Sequence, residues 1–241
     1  MTDVTIEIIT GVIVLSREEL ESKYIGKIHC GDCLDILKDF PDDCVDLVLT
    51  DPPYNVGVDY GNGYDDNKDN FVEWATGWFT ECRRVSATVL ITGQARLPDY
   101  ALIERWKWLL TWWKPAAMGR SPVGFCEWEP IAMWGKGSSA GQPDVIRAPI
   151  IPQKDTGSHP CPKPLYWALG QLKRFPKANV VVDPFCGSGT TCVAAKMLGR
   201  RYIGIDISEE YCEITRQRLE AVDTGVPVKE QRKGQMAMFK E

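Results

Sequence analysis

Nothing at the start of this chain has the make-up of a membrane or export signal. No basic stretch leads into a long apolar run, and residues 4–15 are interrupted by Glu7, Thr10 and Gly11. That is neither a signal peptide nor a membrane span, so a cytoplasmic protein without a membrane partner is expected. The nine cysteines are odd in number and scattered. Cys30 and Cys33 make one C-x-x-C, with no second pair at zinc-finger spacing. No metal site is expected, and the thiols read as reduced, buried, small hydrophobes. Positive charge is also scarce, with 28 Lys and Arg against 33 Asp and Glu and a net charge of −5. Attraction of the whole surface to nucleic acid is thereby excluded, and any such contact needs a local basic patch. Two phosphate-binding signatures are missing as well. The chain's one strand–glycine–helix turn lacks the third glycine of G-x-G-x-x-G, and no Gly-Lys-Ser/Thr occurs.

What is present fits one globular domain of α/β class: 241 residues, 44% hydrophobic and 25% charged. The chain is organised around Asp51, Pro52, Pro53 and Tyr54. They follow an apolar run at residues 45–50 that reads as a buried parallel strand. Proline donates nothing to a sheet ladder and fixes its own φ. The tetrapeptide is therefore a stiff loop presenting a carboxylate, carbonyl oxygens and a ring. Open α/β sheets bind ligands just outside the carboxyl ends of their strands.

Before this stretch, residues 4–15 suit a small hairpin or edge strand. Ser16 caps a helix over 17–24, with Glu19 at the capping-box position. A strand at 27–30 leads to Asp32, which reads equally as a helix cap or a site carboxylate. His29 reads as a packed core residue. After Tyr54 the polar loop 56–70 is long for a simple connection. A helix over 71–84, a strand over 85–92 and a helix over 97–106 follow. Strands at 108–113 and 127–134 suit antiparallel neighbours. Residues 136–158 lack periodicity and form a loop or small insert. A helix over 165–175 comes next.

The second strong signal is a strand at 179–182, then Asp183, Pro184, Phe185, Cys186, Gly187, Ser188, Gly189, Thr190 and Thr191, then a helix over 192–198. Strand, glycine turn and helix bring a ligand against bare backbone at a helix N-terminus. A strand over 201–205 closes on Asp206, and a helix over 209–222 follows. Asp206 lies 17 residues after Gly189, where an acid can take ribose hydroxyls.

Together, Asp51-Pro-Pro-Tyr54 and Asp183-Pro-Phe-Cys-Gly-Ser-Gly-Thr-Thr191, in that order, resemble the amino-methylating DNA methyltransferases. With His159-Pro-Cys-Pro-Lys163-Pro before the glycine motif, the order is similar to the β class, over roughly residues 27–221. The resemblance implies a Rossmann-like methyltransferase fold, a mostly parallel twisted sheet with an antiparallel hairpin, and permuted motifs. It implies S-adenosylmethionine as cofactor and double-stranded DNA as partner. Phe185, Gly187, Gly189 and Thr190 then line the methionine end, with Asp183 nearby. Asp206 takes the ribose, Asp32 lies near the adenine, and His159 and Lys163 stand beside the cofactor. Pro162 departs from the usual Gln or Glu of that element.

The chemistry suits the tetrapeptide. An exocyclic amine is a poor nucleophile because its lone pair is conjugated with the ring. Acceptors on its two hydrogens, the Asp51 carboxylate and the Pro52 carbonyl, favour a pyramidal nitrogen and stabilise its developing charge. Tyr54 can stack on the extruded base. Asp at the head of the tetrapeptide favours adenine N6 in this family, with cytosine N4, RNA and protein amides as alternative targets and a non-catalytic DNA-binding module as a further reading. Cys161 and Cys186 read as incidental.

Residues 1–25 are expected to be an extension, 26–222 the catalytic domain, 136–158 a short target-recognition insert, and 223–241 a flexible tail. A homodimer is expected to help an acidic chain assemble one basic face. In the tail, Gln235, Met236, Ala237, Met238 and Phe239 resemble the peptide by which bacterial proteins dock on the DNA sliding clamp.

Overall fold

The apolar runs pair side by side and the amphipathic segments cover both of their faces. The structure, a computed structural model, describes residues 14–60, 64, 66–93, 96–138, 140–150, 155–157, 159–226 and 228. Residues 4–13 of the expected leader, and the clamp-like peptide at 235–239, lie outside this set. Among the described residues, no helix is long and apolar enough to cross a membrane.

Helix α1 (Arg17–Lys23) opens on the expected capping box. The Glu19 amide donates to Ser16 Oγ at 3.2 Å, and the Ser16 amide donates to Glu19 at 2.7 Å. Then come β1 (Lys27–Cys30), α2 (Cys33–Leu37), β2 (Leu47–Thr50), α3 (Phe71–Val85), β3 (Thr88–Thr92), α4 (Leu97–Ile103) and β4 (Trp108–Trp113). A small ribbon of β5 (Arg120–Ser121) and β6 (Gly124–Phe125) precedes β7 (Trp128–Gly135). The chain continues through β8 (Val145–Arg147), α5 (Leu165–Lys173), β9 (Val180–Asp183), α6 (Thr190–Met197), β10 (Arg201–Asp206) and α7 (Glu209–Thr224).

Eight strands form one sheet in the order β1-β10-β9-β2-β3-β7-β4-β8. Only β7 runs against the others, pairing antiparallel with both β3 and β4. This is the mostly parallel α/β sheet expected, with its antiparallel pair. One face packs on α5, α6 and α7 through residues such as Val181, Trp167, Ala194 and Cys212. The other packs on α1 to α4 through Val48, Ile91, Trp78 and Trp134. The parallel strands β2, β3 and β9 are buried at every position, which explains their unbroken apolar spelling.

The structure corrects several boundaries. α3 continues to Val85, so β3 starts at Thr88. Val45 makes an isolated bridge to Ser86 before β2 begins. α4 ends at Ile103, because Glu104 turns to extended geometry. α6 starts at Thr190, directly on the glycine turn. The segment 136–158 contains strand β8, which pairs parallel with β4. β8 and the β5–β6 ribbon are too short to carry a period and gain their structure from the neighbouring ladder.

Trp134 ties β7 to this core. It is fully buried, meets Phe79 edge-on at 5.0 Å, and its indole N–H donates to Glu104 O at 2.9 Å. Trp134→Ala should lower stability by ~3–5 kcal/mol, the usual cost of emptying such a site. Urea unfolding measures this; a loss below ~1 kcal/mol contradicts the packing.

Candidate active site

β2 and β9 lie side by side at the centre of the sheet. From β9 the chain crosses through α6 to β10 on one side, and from β2 it crosses through α3 to β3 on the other. Such a divergence opens a crevice at the strands' carboxyl ends. A cleft of about 400 Å³ lies there, within the range of small-molecule sites. Asp32, Asp51, Pro53, His159, Lys163, Asp183, Phe185, Gly187, Thr190 and Asp206 all line it. Of the residues singled out in the sequence, Pro52, Tyr54 and Gly189 do not.

The wall after β9 depends on two glycines. Gly187 has φ +51°, and a Cβ there would come 2.6 Å from His159 Nε2. Gly189 has φ +80°, and its Cβ would come 2.2 Å from Thr215 Cγ2. Asp206 joins this turn to the next one: its carboxylate accepts from the amides of Gly187 at 2.8 Å and Ser208 at 2.9 Å. Burial raises its pKa against the pull of those bonds. Asp183 accepts from Thr50 Oγ1 at 2.7 Å and from the Phe185 amide at 3.2 Å, and burial pushes its carboxyl up to about 7. Its contacts hold the turn onto the strands. Asp32 is the cap of α2, accepting from the Leu34 amide at 2.8 Å, and it also faces the cleft.

Phe185 packs against Trp78 at 5.0 Å and Trp74 at 5.8 Å, so one end of the cleft is aromatic. The indole N–H groups of Trp78 and Trp167 are buried without an acceptor among the described residues, and both rings line the cleft. His159 Nδ1 accepts from the Cys161 amide at 3.3 Å, which places the ring proton on Nε2, the atom beside Gly187. Thr190 Oγ1 donates to Lys163 O at 3.1 Å. Cys161 and Cys186 both line the cleft; Cys186 is buried, and burial drives its thiol well above the usual range.

On the β2 side, Asp51 is held by fixed donors. Tyr54 OH lies 2.5 Å from Asp51 Oδ1 and 2.6 Å from Glu129 Oε1. Thr92 Oγ1 also donates to Asp51 Oδ1. Lys163 Nζ pairs with Asp51 Oδ2 at 2.5 Å and Glu129 Oε1 at 3.6 Å. Lys163, expected beside the cofactor, thus reaches the tetrapeptide. Burial opposes its charge, but Asp51 and then Glu129 outweigh burial and raise its pKa. Glu129 is itself buried; Lys163 and Lys114, the latter at 3.2 Å, outweigh that burial and hold its carboxyl low. The Tyr54 phenol is raised well above its usual value by burial and by the two carboxylates.

Glu129, Thr92 and Lys114 had no signal in the sequence, since β7 and β3 are called only by their apolar runs. The loop after Tyr54 is equally specified by distant partners. Asp66 accepts from the amides of Asn55 at 2.8 Å and of Val56 and Val58 at 3.0 Å. Arg96 donates to Tyr54 O at 2.5 Å and to Asn55 O. Tyr211 OH donates to Tyr60 O at 2.5 Å. These bonds lay Tyr60 and Tyr64 along the cleft.

Two buried groups pull stability in opposite directions with pH. Burial lowers His159 from 6.5 to about 4. Unfolding therefore takes up a proton between those values, and the stability this group provides above pH 6.5 is lost as pH falls towards 4. Asp183, raised from 3.8 to about 7, does the reverse: its contribution is lost as pH rises from 4 towards 7. His159→Gln should remove the first effect and leave the second, so as pH falls from ~6.5 to ~4.5 the variant should gain stability relative to wild type. Urea titrations at three pH values across that window measure it; an unchanged pH slope contradicts a buried neutral imidazole.

Comparison with known proteins agrees with this geometry. The DNA methylase family model N6_N4_Mtase matches residues 45–95 and 104–217, which include Asp51, Glu129, Lys163 and the glycine turn. YubD of Escherichia coli (strain K12) is 34% identical over 206 residues, 80% of this chain and 89% of its own. The type II methyltransferase M.HpaI of Haemophilus parainfluenzae is 28% identical over 238 residues, 83% of this chain and 76% of its own. The crystal structure of an M1.HpyAVI–SAM complex superposes with a TM-score of 0.60 at 25% identity, covering 80% of this chain and 99% of that one. The cytosine-N4-specific PvuII DNA methyltransferase shares the fold, with a TM-score of 0.66 at 16% identity over 86% of this chain and 89% of that one. The chain belongs to the N6/N4 family of DNA methylases.

Proposed function

We propose that this protein transfers a methyl group from S-adenosylmethionine to the N6 amine of an adenine turned out of double-stranded DNA. The observation that carries the reading is the placement of Asp51 at the carboxyl end of β2, across the switch-point cleft from the Gly187 turn.

The residues present suit the cofactor. Gly187 leaves bare backbone beside His159 Nε2, where a side chain would not fit. Asp206 offers acceptor oxygens to ribose hydroxyls, and Asp32 stands for the adenine end. The aromatic cluster of Phe185, Trp74 and Trp78 suits a cation over ring faces. When bound, S-adenosylmethionine supplies a methyl group on positively charged sulfur. The M1.HpyAVI structure was solved with that molecule.

The chain's own work falls on the amine. Asp51 and the Pro52 carbonyl each accept one amine hydrogen, which favours a pyramidal nitrogen and stabilises its developing positive charge. Asp51 is turned to this task in advance. Tyr54, Thr92 and Lys163 hold its two oxygens, and a carboxylate's ~four acceptor sites leave room for the amine. With the hydroxyl of Tyr54 tethered, its ring is the fixed part, ready to stack on a base. The loop anchors at buried Asp66 and half-buried Arg96 keep that arrangement from sagging into solvent. The thiol of Cys186 is neutral and buried, so it does not act as a nucleophile. The Asp at the head of the tetrapeptide supports adenine N6 as the target.

Asp51→Ala should bind S-adenosylmethionine as wild type does and lose at least ~100-fold in methyl transfer, on the scale of removing one preorganised polar group. Calorimetry and tritiated methyl transfer to duplex DNA measure the two. Transfer retained by the variant rejects the assignment of Asp51. Mass spectrometry of the treated DNA reads the base: N6-methyladenine is expected, and N4-methylcytosine alone overturns the choice of adenine.

A further inference from the structure

β4 pairs antiparallel with β7, and β7 antiparallel with β3. β4 therefore runs in the same direction as β2 and β3, and its end at Trp113 lies on the same edge of the sheet as Asp51. The chain makes a turn at residues 114–117, where the Ala117 amide donates to Lys114 O at 3.1 Å, and then continues outward. The ladder goes on beyond the sheet: the Lys114 amide donates to Glu127 O at 2.6 Å, the Cys126 amide to Gly119 O at 2.7 Å, and Arg120 pairs with Phe125 in the β5–β6 ribbon. A two-stranded arm, residues 114–127, thus leaves the sheet at the active-site edge. Glu129 at its base is the residue that holds Tyr54 and Lys163.

The arm's chemistry is unusual for a solvent-facing ribbon. Val123 is 97% exposed, Met118 78% and Phe125 55%. Arg120 lies over the Phe125 ring at 5.2 Å. At the root, Trp113 and Trp128 are register partners on one face and both exposed, and Arg147 of β8 lies over Trp113 at 5.4 Å. Arg120 and Arg147 are both exposed and each lies over an exposed aromatic ring, while the whole chain carries −5. Guanidinium and aromatic groups are thus interleaved at this edge, whereas Lys114 is half-buried against Glu129 and Lys107 and Lys136 lie at the opposite edge of the sheet.

We infer that the arm at residues 114–127 enters a groove of the DNA duplex beside the target base, with Arg120 and Phe125 at its contact face. The inference deepens the proposed function and rests on it. A two-stranded ribbon is the width that the major groove admits. Arg120 supplies a donor fork for phosphate or a base edge, and the exposed apolar tip suits contact with bases rather than water. The two exposed guanidinium groups, Arg120 on the arm and Arg147 at its root, favour a polyanion such as DNA as the occupant. Sequence reading on this site is then shared between the insert after β7 and an arm before it.

The test is fluorescence anisotropy with a labelled duplex at a series of salt concentrations, on wild type, Arg120→Ala and Phe125→Ala. Both side chains are exposed, and thermal melts by circular dichroism check that the variants fold as wild type does. Each variant should bind duplex roughly tenfold more weakly, and Arg120→Ala should flatten the salt slope by about 1. Calorimetry should show S-adenosylmethionine binding unchanged. Wild-type duplex affinity and salt slope in both folded variants overturn the inference while leaving the proposed function in place. So does unchanged duplex affinity coupled to a shift from dimer to monomer in sedimentation, which assigns the arm to a second copy. A wild type that neither binds nor methylates duplex DNA fails the proposed function itself, and the inference with it.

Discussion

The parallel pairing of β2 with β9 is the constraint on which this molecule turns. Leu47 and Val48 meet Val181 and Val182 in the middle of the sheet, and just beyond them Thr50 Oγ1 donates to Asp183 across 133 positions of sequence. Both strands are fully buried, so their register is held by core packing on two faces. Every group in the cleft inherits its position from this register. The proline-rich loop and the glycine turn each begin where the ladder stops, and they diverge because the crossovers leave in opposite directions. Asp183 serves this junction as a clamp, which is why its carboxyl tolerates a burial that raises its pKa to about 7.

Against that apolar frame, the polar side of the cleft is a balanced cluster. Asp51 and Glu129 face Lys163, with Lys114 behind Glu129. Lone charges at such depth are prohibitive, and pairs are tolerated only when further bonds satisfy them. Tyr54 and Thr92 provide those bonds. Removing one member leaves the others uncompensated, at a typical cost of ~3–5 kcal/mol. The cluster is therefore weak evidence for stability and better understood as a device that keeps one acceptor in place. Because the hydrogen-bond donors are already oriented, little reorganisation is needed when charge develops on a bound amine.

The two ends of the cleft differ in kind. The β9 side is backbone, aromatic rings and single carboxylates, suited to an extended nucleoside. The β2 side is ionic and continuous with β7, whose first residues form the root of the 114–127 arm. A single strand thus connects the groups around the reacting atom with the surface that reaches outward. Arg147 over Trp113 and Arg120 over Phe125 give that surface planar stacked cations, which suit a polyanion better than free lysines do because their forks are pre-organised.

The sequence alone determined the architecture and the two loops at its centre. Buried parallel strands are spelled as nearly continuous apolar runs, and Pro-Pro and Gly-x-Gly have local backbone consequences that no tertiary contact can reverse. Capping at Ser16 and the helix expected over residues 71–84, which the structure extends by one residue to Val85, were legible for the same reason. Tertiary structure alone decided the partners of Asp51. Thr92, Glu129 and Lys163 lie 41, 78 and 112 positions downstream, and Glu129 alternates along β7 as one polar residue among apolar ones, a pattern also typical of an exposed edge. The sheet order that seats β7 against β3 turns that glutamate inwards. The short strands β5, β6 and β8 were invisible because two or three residues carry no period; they exist only as continuations of a ladder. Local conformation is written in local residues, whereas a site made of charges is written in the register between strands, which emerges only when the core closes.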